Sequence, residues 1–138
     1  YTELVNDLER VPDSFFPSLF QEQLDKEIEI RSFYLEGNFY SMAIFSQLDE
    51  QTNVDFRMYN AAKENRTVPY KLPSEIEEKL SKLMQRLRLN TGSIDIVKTK
   101  CGRFAFLEVN PWGQYDMVSE PCNYYLDEKI ANYLSNYE

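Results

Sequence analysis

Twice along this chain, two stretches rich in Ile, Val, Phe and Tyr are separated by a short Gly-containing turn, the strongest local signal for a β-hairpin. The first runs Ile28 to Leu35 and Phe39 to Phe45 around Glu36-Gly37-Asn38; the second runs Ser93 to Thr99 and Phe104 to Asn110 around Lys100-Cys101-Gly102-Arg103. Two such hairpins commit the chain to an antiparallel sheet. Period-two alternation then fixes which side chains share a face: Glu29, Arg31 and Phe33 fall together on one of them.

Helical patterns supply what covers the sheet. After Pro73, Ser74 and Glu77 have capping-box spacing, and Ile76, Leu80, Leu83, Met84 and Leu87 form one apolar stripe, read as core. Leu126, Ile130, Tyr133, Leu134 and Tyr137 predict a terminal helix, and Leu4, Val5 and Leu8 a short one ended at Val11-Pro12-Asp13-Ser14. Between Phe15–Phe20 and the first hairpin lies a polar stretch. Residues 47 to 71 are expected to be mostly loop, with one strand-like island from Val54 to Tyr59. The expected class is α+β, an antiparallel sheet with packed helices in a single domain over residues 1–138; ten Tyr, nine Phe and one Trp supply the large apolar area that its core needs. The chain begins at Tyr1 as if within a helix, so we expect a further segment upstream.

A net charge of −8 without a Lys/Arg block argues against nucleic acid as a partner. No apolar run has the length of a membrane span, and no signal-peptide pattern is present, so a cytoplasmic setting without membrane contact is expected. Cys101 and Cys122 are read as free thiols. The chain has no histidine, which excludes His-based zinc sites, Ser-His-Asp triads and imidazole bases within it. Chemistry here falls to carboxylates, amides, arginines and lysines.

If Cys101 and Gly102 are the two turn residues, Lys100 pairs with Arg103, Val97 lies opposite Phe106, and Asp95 lies opposite Glu108. Like charges across a ladder destabilise it, so such a pair calls for a proton or a cation. Asn110 shares the face of Glu108 about 7 Å further along. An Asp, Glu and Asn set suits Mg²⁺, or Mn²⁺, completed by phosphate oxygens and water. Ile94, Ile96, Leu107 and Val109 fall on the other face, toward the core. The alternative is that Asp95 and Glu108 are solvated strand carboxylates in another register.

The run Phe106-Leu107-Glu108-Val109-Asn110-Pro111 with Trp112-Gly113-Gln114 resembles the Mg²⁺-binding strand of ATP-grasp enzymes, with Asp95 as the matching earlier carboxylate. Phe20-Gln21-Glu22-Gln23-Leu24 and Glu29-Ile30-Arg31 resemble that fold's adenine hinge and its ribose and phosphate contacts; Asp55-Phe56-Arg57 resembles a third motif. Leu107 to Leu126 and the Asp55-x-Arg57 pair are similar to the maturases of ω-ester graspetides, in particular the "grasp-with-spasm" group. The likeness covers nearly the whole chain as the C-terminal half of the ATP-grasp domain. The N-terminal lobe and the central lysine-bearing segment have no counterpart, so the chain alone is expected to be inactive.

The resemblance implies ATP and Mg²⁺ as cofactors and a precursor peptide as partner, with self-association of the full-length enzyme left open. Glu22, Gln23 and Leu24 would meet adenine, Glu29 the ribose, and Arg31 and Arg57 the phosphates, as the catalytic groups. Asp95, Glu108 and Asn110 would hold the metal, and Asp55 with Arg57 would contact peptide. A same-face ion pair is the alternative for Glu29 and Arg31, and a turn role that for Asp55. The implied activity is activation of Asp/Glu side chains as acyl phosphates for ester or amide cross-links. The competing expectations are a ligase that adds glutamate to a protein terminus and a non-catalytic peptide-binding domain.

Overall fold

A computed structural model describes residues 5–7, 9, 11–46 and 65–136. Among them lie β1 (Lys26–Leu35), β2 (Asn38–Ile44), β3 (Thr67–Tyr70), α1 (Ser74–Leu87), β4 (Thr91–Thr99), β5 (Phe104–Asn110), α2 (Asp116–Cys122) and α3 (Leu126–Ser135). The strands form one sheet in the order β3-β2-β1-β4-β5, with every neighbouring pair antiparallel. The α+β expectation and both hairpins are thus observed. The Val54–Tyr59 island, Leu4, Leu8 and Tyr137 lie outside the described residues, whereas Val5 is exposed and in no helix.

The first hairpin closes through Glu36 and Gly37, both at positive φ (42° and 85°), the geometry whose twist matches the flanking strands. Alternation divides the sheet into two buried faces. On one, Ile28, Ile30, Tyr34, Ala43, Ile94 and Ile96 pack against Leu72 and against Leu80 and Met84 of α1. Ser32 and Ser41, cross-strand partners on that face, bond each other at 2.7 Å, so two buried hydroxyls are satisfied together. On the other face, Met42 and Ile44 meet Val118 and Cys122 of α2, and Phe33 and Leu35 meet Leu126 of α3. Because α2 and α3 sit over β1 and β2, the β4–β5 half of this face stays uncovered by either helix's core contacts.

Several local expectations are corrected. The capping box does not form: Pro73 is the N-cap, its carbonyl accepts from Ile76 and Glu77 N–H at 2.9 and 3.1 Å, and Glu77 instead takes Lys71 at 2.7 Å. Leu87 is 47% exposed, off the core stripe. In the second hairpin Thr99, not Lys100, closes the turn, with Thr99 N–H bonding Arg103 O at 2.9 Å. Val97 accordingly faces Ala105, and Ile96 faces Phe106. Leu107 is an extra residue bulged out of β5 and half exposed rather than in the core.

Candidate functional site

The bulge at Leu107 cancels the one-residue turn shift, so beyond it Asp95 lies opposite Glu108 and Ser93 opposite Asn110, as the spacing predicts. On the other flank of β4, Arg31 of β1 is the ladder partner of Asp95, and Met42 is the partner of Arg31. One row therefore crosses the sheet as Met42, Arg31, Asp95, Glu108. Neighbouring rows carry Glu29 and Val97 on one side, and Phe33, Ser93 and Asn110 on the other. All of these point to the face that α2 and α3 share.

The row grades from dry to wet. Arg31 is buried, and its Nε lies 3.6 Å from Asp95 Oδ1 while Nη1 meets Met117 Sδ at 3.6 Å. Neither contact is a strong hydrogen bond, and Arg31 Nε has no hydrogen-bond acceptor. Asp95 is half-buried and Glu108 exposed. A guanidinium on one flank partly balances Asp95, but two carboxylates remain adjacent across the ladder.

Asn110 Oδ1 accepts the Trp112 N–H at 3.0 Å, which orients the amide and leaves a second lone pair on that oxygen. Gly113 then closes over the sheet: a Cβ there would stand 3.1 Å from Ser93 N and Phe33 Cε2. Trp112 is 95% exposed. Among the described residues no cluster of three or more Asp, Glu or Cys side chains has metal-binding geometry. The donor set is two carboxylates and an amide, a fit for a hard cation that takes its remaining oxygens from phosphate and water.

Glu29 is buried, and its Oε1 accepts from both Lys26 Nζ (2.7 Å) and Ser46 Oγ (2.8 Å). Lys26 reaches this face because Glu27 is bulged: Lys26 pairs with Thr99 and Ile28 with Lys98, leaving Glu27 unpaired in the ladder. Sequence alternation places Lys26 on the opposite face, so this cation was illegible in the pattern. Glu27 instead holds Lys98 at 2.7 Å, which raises the lysine above its ordinary pKa.

Glu22, Gln23 and Leu24 lead into β1 beside the β4–β5 turn, where Glu22 reaches Arg103 (3.8 Å) and Asp25 O accepts Lys100 N–H at 3.0 Å. In that turn the Cys101 thiol lies below its usual pKa, chiefly through its 3.1 Å bond with the Thr99 hydroxyl. Cys101 and Cys122 are both free. Asp55 and Arg57 lie outside the described residues.

No protein-family model and no curated protein sequence matches the chain. Solved structures do. The macrocyclase MdnC of Microcystis aeruginosa MRC, bound with precursor peptide MdnA, is 32% identical with a TM-score of 0.68, over 83% of this chain and 35% of that one. The macrocyclase MdnB of the same organism is 25% identical with a TM-score of 0.67, over 86% and 41%. A Chryseobacterium gregarium RiPP-associated ATP-grasp ligase, in complex with ADP and a leader and core peptide, matches at 24% identity and a TM-score of 0.68, over 72% and 30%.

The fold that the sheet and these likenesses show is that of ATP-grasp ligases, of which the chain carries part. Its likeness is to a RiPP-associated ligase and to two macrocyclases, of whose length it spans between 30% and 41%.

Proposed function

We propose that this chain supplies the Mg²⁺-nucleotide half of an ATP-dependent peptide ligase, which activates substrate Asp or Glu carboxylates as acyl phosphates. The observation that carries the reading is the row Arg31, Asp95, Glu108, in which a buried guanidinium with an unmet Nε donor adjoins a half-buried and an exposed carboxylate. A nucleotide triphosphate with a divalent ion answers both deficits: phosphate oxygens accept from Arg31, and the cation relieves the carboxylate pair.

Along β1 the candidate contacts run in the order of the nucleotide's parts. Glu22, Gln23 and Leu24 offer backbone groups to the base, Glu29 takes the ribose hydroxyls, and Arg31, about 7 Å beyond Glu29, takes the phosphates. Asp95, Glu108 and Asn110 would hold Mg²⁺, with Mn²⁺ as a substitute; bound there, the ion supplies neutralisation of phosphate charge. Arg57 would add a second guanidinium, and with Asp55 would touch the peptide.

In the reaction, a substrate carboxylate oxygen attacks the γ-phosphorus and ADP leaves. A substrate hydroxyl or amine then attacks the acyl carbon, forming an ester or amide and releasing phosphate, with the attacking group's proton passing to solvent. Arg31 stabilises the charge that moves onto the transferred group. This chemistry asks for positioning and charge rather than a protein nucleophile, in keeping with a chain that has no histidine.

The test is mass spectrometry of a Thr- and Glu-rich precursor peptide incubated with the full-length enzyme, ATP and Mg²⁺. Loss of water in one or more steps is expected, and Glu108→Gln should slow it on the order of 10²–10³-fold. Near-normal turnover by Glu108→Gln would remove the metal assignment. ATP-dependent gain of glutamate without dehydration would favour the terminal glutamate ligase.

A further inference from the structure

Glu29 is held in an uneven way. Lys26 Nζ and Ser46 Oγ both donate to the same oxygen, Oε1, and no described residue hydrogen-bonds Oε2. A carboxylate on a sheet face ordinarily rotates about its last torsion and exchanges its two oxygens. Two short donors on one oxygen, with Ser46 fully buried, fix the plane and leave Oε2 with its acceptor capacity to spare. The buried Val97 opposite Glu29 excludes water from that side.

The clamp is assembled at some cost. Lys26 lies on this face only through the Glu27 bulge, and its side chain is 14% exposed, so a lysine that meets Glu29 among its partners sits largely out of water. A pair that merely closed the sheet would not need the extra residue, since a strand ending in regular register leaves its terminal lysine solvated.

We infer that Lys26 and Ser46 are positioning residues that fix the Glu29 carboxylate for its contact with the hydroxyls of a ribose. The inference rests on the nucleotide site proposed above and assigns to it a specificity device: discrimination for a ribose diol depends on the clamp rather than on Glu29 alone. Lys26 acts through Glu29, and base and triphosphate recognition do not depend on it.

The experiment compares binding of Mg-ATP and Mg-2′,3′-dideoxy-ATP to the full-length enzyme by calorimetry. The unsubstituted protein should favour ATP on the order of tenfold or more, the scale of hydrogen bonds to a charged acceptor. Lys26→Met should bring the ratio to within about threefold, with dideoxy-ATP affinity changed by less than about threefold. Lys26→Arg should restore it. Ser46→Ala should lower the ratio partway and serves as the test should urea unfolding show that Lys26→Met does not fold. An ATP preference that survives both Lys26→Met and Ser46→Ala assigns the ion pair to stability alone and overturns the clamp. ATP binding without any ribose preference also overturns it, while leaving the nucleotide site standing. No binding of either nucleotide removes both.

Discussion

Gly113 is where a single missing carbon decides the geometry of the turn after β5. Its Cα rests against the sheet so closely that a Cβ would meet Ser93 N at 3.1 Å, Phe33 Cε2 at 3.1 Å and Ser93 Oγ at 3.2 Å. A backbone nitrogen in a ladder cannot retreat, and Phe33 is 2% exposed within its own cluster. The added methyl must therefore lift the turn. The same turn sets Asn110, whose carbonyl accepts Gly113 N–H at 3.1 Å and whose side chain accepts Trp112 N–H at 3.0 Å. Gly113→Ala should cost about 1–3 kcal/mol, the usual range for overpacking, and appear as a lowered urea midpoint with unchanged slope. Unaltered stability would mean that the turn moves away freely and that Asn110 is not held by it.

At the scale of elements, the two hairpins anchor the sheet, and the first carries a correctable strain. A two-residue turn with both residues at positive φ suits Asn-Gly, yet Glu36 occupies the first position at φ 42°. Glu36→Asn should stabilise the fold by about 0.5–1 kcal/mol, read as a raised urea midpoint, because Asn tolerates that region better than Glu. A lowered midpoint would show that Glu36 makes a contact worth more than the strain. The hairpins were legible because alternation and Gly-bearing turns are local signals, and so was the apolar stripe of α1. What escaped was set elsewhere. The strand β3 has four residues with Pro69 among them, and it forms because an edge position spares one ladder bond. The helix α2 has seven residues with Pro121 inside, and packing by Val118 and Cys122 under β2 holds it rather than propensity. The two bulges, at Glu27 and Leu107, have no mark in a period-two pattern. One of them cancelled an error in turn register, so the Asp95–Glu108 pairing was reached with the wrong Val97 partner, and the other hid Lys26.

For the whole molecule, the decisive arrangement is one sheet face shared between a core and a site. The helices α2 and α3 bury Met42, Ile44, Phe33 and Leu35, and the same face continues into Arg31, Asp95 and Glu108 without a break. Seating of the helices therefore governs the site's edge, where Met117 touches Arg31. Tyr124, between α2 and α3, fastens them to the sheet: its hydroxyl donates to Ser41 O at 2.7 Å, and its ring lies 5.6 Å from Tyr40. Burial raises the Tyr124 pKa above that of an ordinary tyrosine. The folded state then holds this proton to a higher pH than the unfolded chain does, so its contribution is complete below the unfolded-state value and declines as pH rises through the folded-state value. Tyr124→Phe should lower stability by about 0.5–1.5 kcal/mol at neutral pH, the worth of the lost hydrogen bond. It should also flatten the fall in stability that the parent shows on going above about pH 10, where free tyrosine ionises. Urea unfolding of both proteins from neutral to alkaline pH measures the two effects together. Parallel curves for parent and variant would show that Tyr124 does not fasten the helices through its proton, and that the site's edge is held by apolar packing alone.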